Sequence, residues 1–161
     1  MRDQVQPDDL DNLGGLCNFD RSRQLFMAAD ALAWLPERRE LSQRSCEEAV
    51  AAYEDSAAPD WSFTFQAGSH AALAIARIGM GELEGAAEAM EWVFGLAVPQ
   101  RTSPVVQFVL RVHAALARSP LADGHPELAE KMNVFVGAHL SGNVAPARLG
   151  SLRPADPPAL G

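Results

Sequence analysis

Apolar residues recur every three or four positions over most of this chain, the spacing of helices that bury one face. From Asp20, a good N-cap residue, Leu25, Ala28, Ala29, Leu32 and Leu35 keep that spacing until Pro36 stops the run, which predicts a first helix. A second is expected from about Arg38 to Tyr53, with Leu41, Ser45, Cys46, Ala49, Val50 and Tyr53 buried and Glu40, Arg44, Glu47 and Glu48 outside. The two form a hairpin. After a turn at Glu54–Pro59, Asp60 can cap a third helix carrying Trp61, Phe65, Ala72, Leu73, Ala76 and Gly79, although the segment WSFTF also alternates as a strand would. Glycines at 79 and 81 supply a turn into a fourth helix, Leu83–Leu96, with Ala86, Met90, Val93 and Phe94 inward before Pro99. A fifth is expected over Ser103–Arg118, with Pro104 in its first turn and Val105, Phe108, Val112, Ala115 and Leu116 as its stripe. A sixth runs from about Pro126 to Leu140 through Leu128, Met132, Phe135 and Val136.

Composition agrees with an all-α fold. Alanine dominates, and isoleucine, a strand former, occurs only at Ile75 and Ile78. With 161 residues the chain is expected to hold one domain, residues 20–140. Residues 1–19, with Pro7, several aspartates and the Gly14–Gly15 pair, read as an irregular linker, and residues 141–161, ending PADPPALG, as a disordered tail. The formal charge of −8, with lysine only at Lys131, argues against direct binding to nucleic acid, whose affinity comes from basic groups neutralising phosphates. No apolar run approaches the roughly 20 residues of a membrane span. Cys17 and Cys46 form neither a disulfide framework nor a metal knuckle, and a reducing cytoplasm fits best.

Helix pairs repeating at about 34 residues are the mark of tetratricopeptide arrays, in which small residues let the helices of a pair approach and neighbouring pairs bury one another. The second hairpin fits: Leu73-Ala74 is a large-small pair, Gly81 lies in the turn, Ala86 is the small residue of the second helix, Met90 and Val93 follow, and Pro99 closes the unit. One repeat on, Arg77 maps to Arg111, although Gln107-Phe108 replaces the large-small pair. The first hairpin lies on the same frame with Ala28-Ala29 as its pair. This predicts a tetratricopeptide-like α-α superhelix of about three helical hairpins.

The runs DDLDNLGGLCNFDRSRQLFMAADALAWLP, EEAVAAYED, APDWSFTFQAGSHAALAIARIGMGELEGAAEAM and QRTSPVVQFVLRVHAAL resemble the C-terminal helical region of bacterial helix-turn-helix transcriptional regulators of the xenobiotic-response-element type. The resemblance covers roughly Asp8 to Leu140. It implies a module that senses a peptide or ligand, or self-associates, on behalf of a DNA-binding domain, and nothing before Asp20 has the length or periodicity of such a domain.

Catalytic chemistry finds no constellation. His70, His113, His125 and His139 show no metal-ligand spacing. Gly68-Ser69-His70 are consecutive, so they point apart on a helix, and Gly79-Met80-Gly81 lacks the spacing and lysine of a phosphate loop. Glu82, Glu84, Glu88 and Glu91 read as a solvated face. The candidate contact residues are Arg77 and Arg111, placed alike in successive repeats and suited to an acidic peptide, and Trp61 and Phe65, which could line a groove. The sequence thus predicts a non-enzymatic module without a cofactor that captures a protein or peptide in a concave face, or alternatively one that dimerises through the exposed end of its stack.

Overall fold

The structure, a computed structural model, describes residues 20–143. The expected linker 1–19 and residues 144–161 of the expected tail lie outside the described residues, as does Cys17. Within them all regular structure is helical: α1 (Arg21–Leu32), α2 (Arg39–Ala51), α3 (Phe63–Met80), α4 (Leu83–Phe94), α5 (Ser103–Ala117) and α6 (Pro126–Asn143), with single 3-10 turns before α2, α5 and α6. None of these helices is long and apolar enough to cross a membrane.

Local chemistry sets the ends. Asp20 caps α1 as its sequence suggests, its carboxylate accepting from the Arg23 N–H at 2.7 Å. Gly81 leaves α3 in the left-handed conformation, φ 81°, where a side chain would strain the backbone. Its N–H donates to the Ile78 carbonyl at 3.0 Å and that of Glu82 to the Arg77 carbonyl at 2.9 Å, the double closure of a Schellman turn. α6 runs three residues past Leu140, into the segment expected to be tail. Asp60 does not cap α3: its carboxylate takes the Ser22 hydroxyl at 2.6 Å, tying α1 to the turn before α3, and Ser62 precedes the helix in extended conformation. The alternation in WSFTF marks only this extended approach, because Phe63 and Phe65 are already helical.

α3 is the axis of the fold. It packs against α1, α2, α4 and α5, while α6 lies on α5 and α4. Every residue from Ala71 to Ala76 is buried, so this helix has no solvent face over its middle turns. Alanine suits such a position because the absence of a long side chain lets neighbouring backbones approach. Gly79 is exposed, unlike the expectation that it faced the core. In α1 the buried pair is Phe26 and Ala29, and Ala28 is exposed. In α2 Leu41 is 42% exposed and Ser42 is buried, a shift of one position. The expected stripe took the larger apolar residue, but α3 approaches along the smaller one.

At Gly68 three helices converge. A Cβ there would stand 2.5 Å from Phe26 of α1 and 3.0 Å from Phe108 of α5. The bare glycine lets both rings lie over α3, edge to face with centroids 5.9 Å apart, a favoured aromatic geometry. Phe26 also packs on Phe65 at 5.3 Å, and Phe65 on Tyr53 at 6.2 Å. The buried Tyr53 hydroxyl finds no hydrogen-bond partner, and burial pushes its pKa up to about 12.

Gly68→Ala is expected to lower the free energy of unfolding by about 1–3 kcal/mol, the usual cost of overfilling a packed core. Tyr53→Phe, which deletes an unpartnered buried hydroxyl, is expected to leave stability unchanged or raise it slightly. Urea denaturation of both variants checks the pair; a neutral Gly68→Ala would remove the argument for a closed aromatic seam.

Candidate functional site

The four residues expected to contact a partner are not gathered on one surface. Phe65 lies in the first turn of α3 and Arg77 near its end, twelve residues or roughly 18 Å apart at 1.5 Å per residue. Trp61 precedes α3 and donates from its indole Nε1 to Gln66 Oε1 at 2.9 Å. Phe65 is enclosed by Phe26, Tyr53 and the Arg23 guanidinium, 5.1 Å above its ring. Arg77 reaches across the Gly81 turn to the Gly85 carbonyl at 2.7 Å and staples α3 to α4. Arg111 pairs with Asp30 of α1 through both carboxylate oxygens, at 2.7 and 3.3 Å. Asp60 holds Ser22, and Glu91 holds Lys131 at 2.6 Å.

Two of the clefts among the described residues expose apolar walls to solvent. One is a cleft of about 380 Å³ where the ends of α1, α3 and α5 meet the first turn of α2, with Trp34, Ile75, Ile78 and Ala115 among its walls. Trp34 follows α1 and is held against α5 by two guanidinium groups, Arg111 at 5.5 Å and Arg118 at 5.2 Å from the ring centre, within cation-π range. Sequence reasoning missed Trp34, yet arginines seven apart on α5 share a helix face, and that spacing was legible.

The other is a groove of about 430 Å³ between α4 and α6, lined by Phe94, Val134 and Phe135 and rimmed by Arg101, Lys131, Glu127 and Glu130. Arg101 stacks 4.5 Å from the Phe135 ring and donates to the Leu96 carbonyl at 3.0 Å, which fixes the approach to α5. α6 buries Leu128, Met132 and Phe135 but leaves Val134 65% and Leu140 61% exposed. Apolar residues on both sides of one helix are a sequence signal that a second face is also meant for burial.

Among the described residues no group of His, Cys, Asp and Glu is placed to hold a metal ion. His70 stacks on Trp92, centroids 5.3 Å apart and nearly parallel. Burial lowers its pKa below the ordinary histidine value, an effect partly opposed by the nearby Ala89 backbone. His125 sits 3.2 Å from Glu127 at the start of α6. The Cys46 thiol is enclosed between α1 and α2, donating to the Ala29 carbonyl at 3.7 Å. Burial pushes its pKa up to about 12, so it stays protonated and unreactive at neutral pH.

Comparison with protein-family models, curated proteins and solved structures finds no match.

Neutral His70 gives a pH dependence of known sign. Its folded pKa lies below its unfolded value of about 6.5, so the stacked fold is fully stable above that value and loses stability as pH falls through it towards the lower folded pKa. Chemical denaturation at pH 7.5 and 5.5 should show a larger loss for the wild type than for His70→Phe, which keeps an aromatic ring on Trp92 but takes up no proton. Equal losses would show that His70 titrates as it does in the unfolded chain.

Proposed function

We propose that the chain is a non-catalytic interaction module, a stack of three tetratricopeptide-like helix pairs that holds an amphipathic helix of a partner protein against its α6 end. The observation that carries this reading is Val134 of α6, 65% exposed where it lines the groove with Phe94 and Phe135. In a helical stack each pair is covered by the next, so an apolar last face calls for another helix on it. The rim carries both signs, Arg101 and Lys131 beside Glu127 and Glu130, which suits a partner helix whose apolar stripe is flanked by mixed charge. The resemblance to the sensor region of bacterial regulators supports a cytoplasmic role in transcription control, with a DNA-binding partner or a sensed peptide as occupant. The acidic chain contributes no direct grip on DNA.

A second reading uses the same face. Two copies could pair α6 against α6 about a two-fold axis, which would cover Val134 and the groove isologously.

The test compares the tagged wild type with Val134→Glu by affinity purification and by light scattering over a concentration series. The proposal expects a stoichiometric partner on the wild type and at least tenfold less on the variant, with equal helix content by circular dichroism. A dimer that forms with concentration and is lost in the variant would favour self-association. A partner retained by the variant would reject α6 as the docking face, and retention lost instead in Arg111→Gln would return the contact to the inner helices.

A further inference from the structure

The cleft at Trp34 is built differently from the α6 groove and carries an inference that does not rest on it. Its body is apolar: Ile75, Ala76 and Ile78 come from α3, Ala115 from α5, and Trp34 closes one side. Arg39 and Arg118 stand at its rim. Arg118 lies over the Trp34 ring, and among the described residues its guanidinium forms no ion pair, whereas the charge of neighbouring Arg111 is neutralised by Asp30. Ser42, also in the lining, is only 2% exposed, and its hydroxyl meets no hydrogen-bond partner. It lies one turn before Cys46, close enough to ease the thiol's ionisation slightly against the dominant effect of burial, but without the geometry of a hydrogen bond. The Ser42 oxygen is itself closed off from the cleft, so the rim guanidinium groups, and not this hydroxyl, are the polar partners on offer to a ligand there.

We propose that this cleft binds a small apolar monocarboxylate. Its hydrocarbon or aromatic body lies on Ile75, Ile78 and the Trp34 ring, and its carboxylate is received by Arg118. Volume limits the size: about 380 Å³ is near the lower bound of small-molecule sites, which admits a single ring or a short branched chain with one acid group. Charge limits the class. On a chain of formal charge −8 an anion is not drawn by the overall field, so the local guanidinium groups must select it. A neutral body without the acid would leave Arg118 with only its aromatic contact, and a second acid group would have to enter the apolar wall unpaired.

The experiment titrates the full chain with 3-phenylpropionate and, separately, with its neutral amide, following the Trp34 indole N–H and the Ile75 and Ile78 methyl signals by NMR. The acid is expected to shift all three, and the amide to bind at least tenfold more weakly, the difference a charge-assisted hydrogen bond supplies. Arg118→Gln should weaken the acid to a similar degree with little effect on the amide, and Arg118→Lys should recover part of the affinity. The acid and amide comparison on the wild type stands even where a variant folds poorly. Equal binding of acid and amide would overturn the assigned ligand class, and signals at Trp34 unmoved at millimolar acid would overturn the site. A short peptide with a free C-terminal phenylalanine that binds where phenylpropionate does not would overturn the small-molecule assignment in favour of a chain terminus.

Discussion

Gly68 is the point from which the arrangement of the inner helices follows. Because it has no side chain, Phe26 and Phe108 meet across α3, and α1 and α5 are drawn together over a helix that each also packs against. The closure is repeated further along the same helices by a different force, where Asp30 of α1 receives Arg111 of α5 and Trp34 lies under two arginines. An ion pair this exposed contributes about 1 kcal/mol at most, so the aromatic contacts at Gly68 dominate and the polar contacts set direction. One consequence reaches function. Faces that could have formed an open channel between α1, α3 and α5 are spent on one another, and the apolar clefts left to solvent lie at Trp34 and against α6.

Much of the helical framework could be read along the chain because its determinants are local. The 3.6-residue spacing located all six helices, Asp20 acted as a cap, and Gly81 made the turn demanded by its position. The misplacements have a common cause: each depended on a neighbour far away in sequence. Leu41 faces solvent and Ser42 the core because α3 approaches α2 along its smaller residues. Asp60 gave up a helix cap for Ser22, thirty-eight residues earlier. No period reveals that α3 is buried all round, since a uniformly small and apolar helix shows little contrast between its faces.

The contact residues suffered most from this limit. The expected repeat gave Arg77 and Arg111 equivalent places, yet one closes a turn and the other spans eighty-one residues to Asp30. Repeat equivalence fixes the backbone position of a side chain, but its partner depends on what the adjoining pair presents. Trp61 and Phe65 carried the general signal of exposed aromatics and were absorbed by Gln66 and by Tyr53 with Phe26. What distinguished the Trp34 cleft was no single residue: it needed an indole after α1 and arginines at the end of α5 at one place.

The two open surfaces draw on different helices, and that division restricts how they could act on each other. Walls of the Trp34 cleft come from the segments around α1, α2, α3 and α5, whereas the groove belongs to α4, α6 and the approach to α5. A ligand bound only to the folded cleft would stabilise the whole domain by mass action, without altering the groove in any particular way. To change affinity at α6 it would have to bind two arrangements of the protein unequally, since a ligand shifts an equilibrium only by its differential affinity. α5 is the element placed for that, because Ala115 and Arg118 face the cleft while its other side carries α6. Its freedom to move is restrained by Phe108 on Phe26 and by Arg111 on Asp30, so any such coupling must work against the same contacts that hold α1 and α5 together over α3.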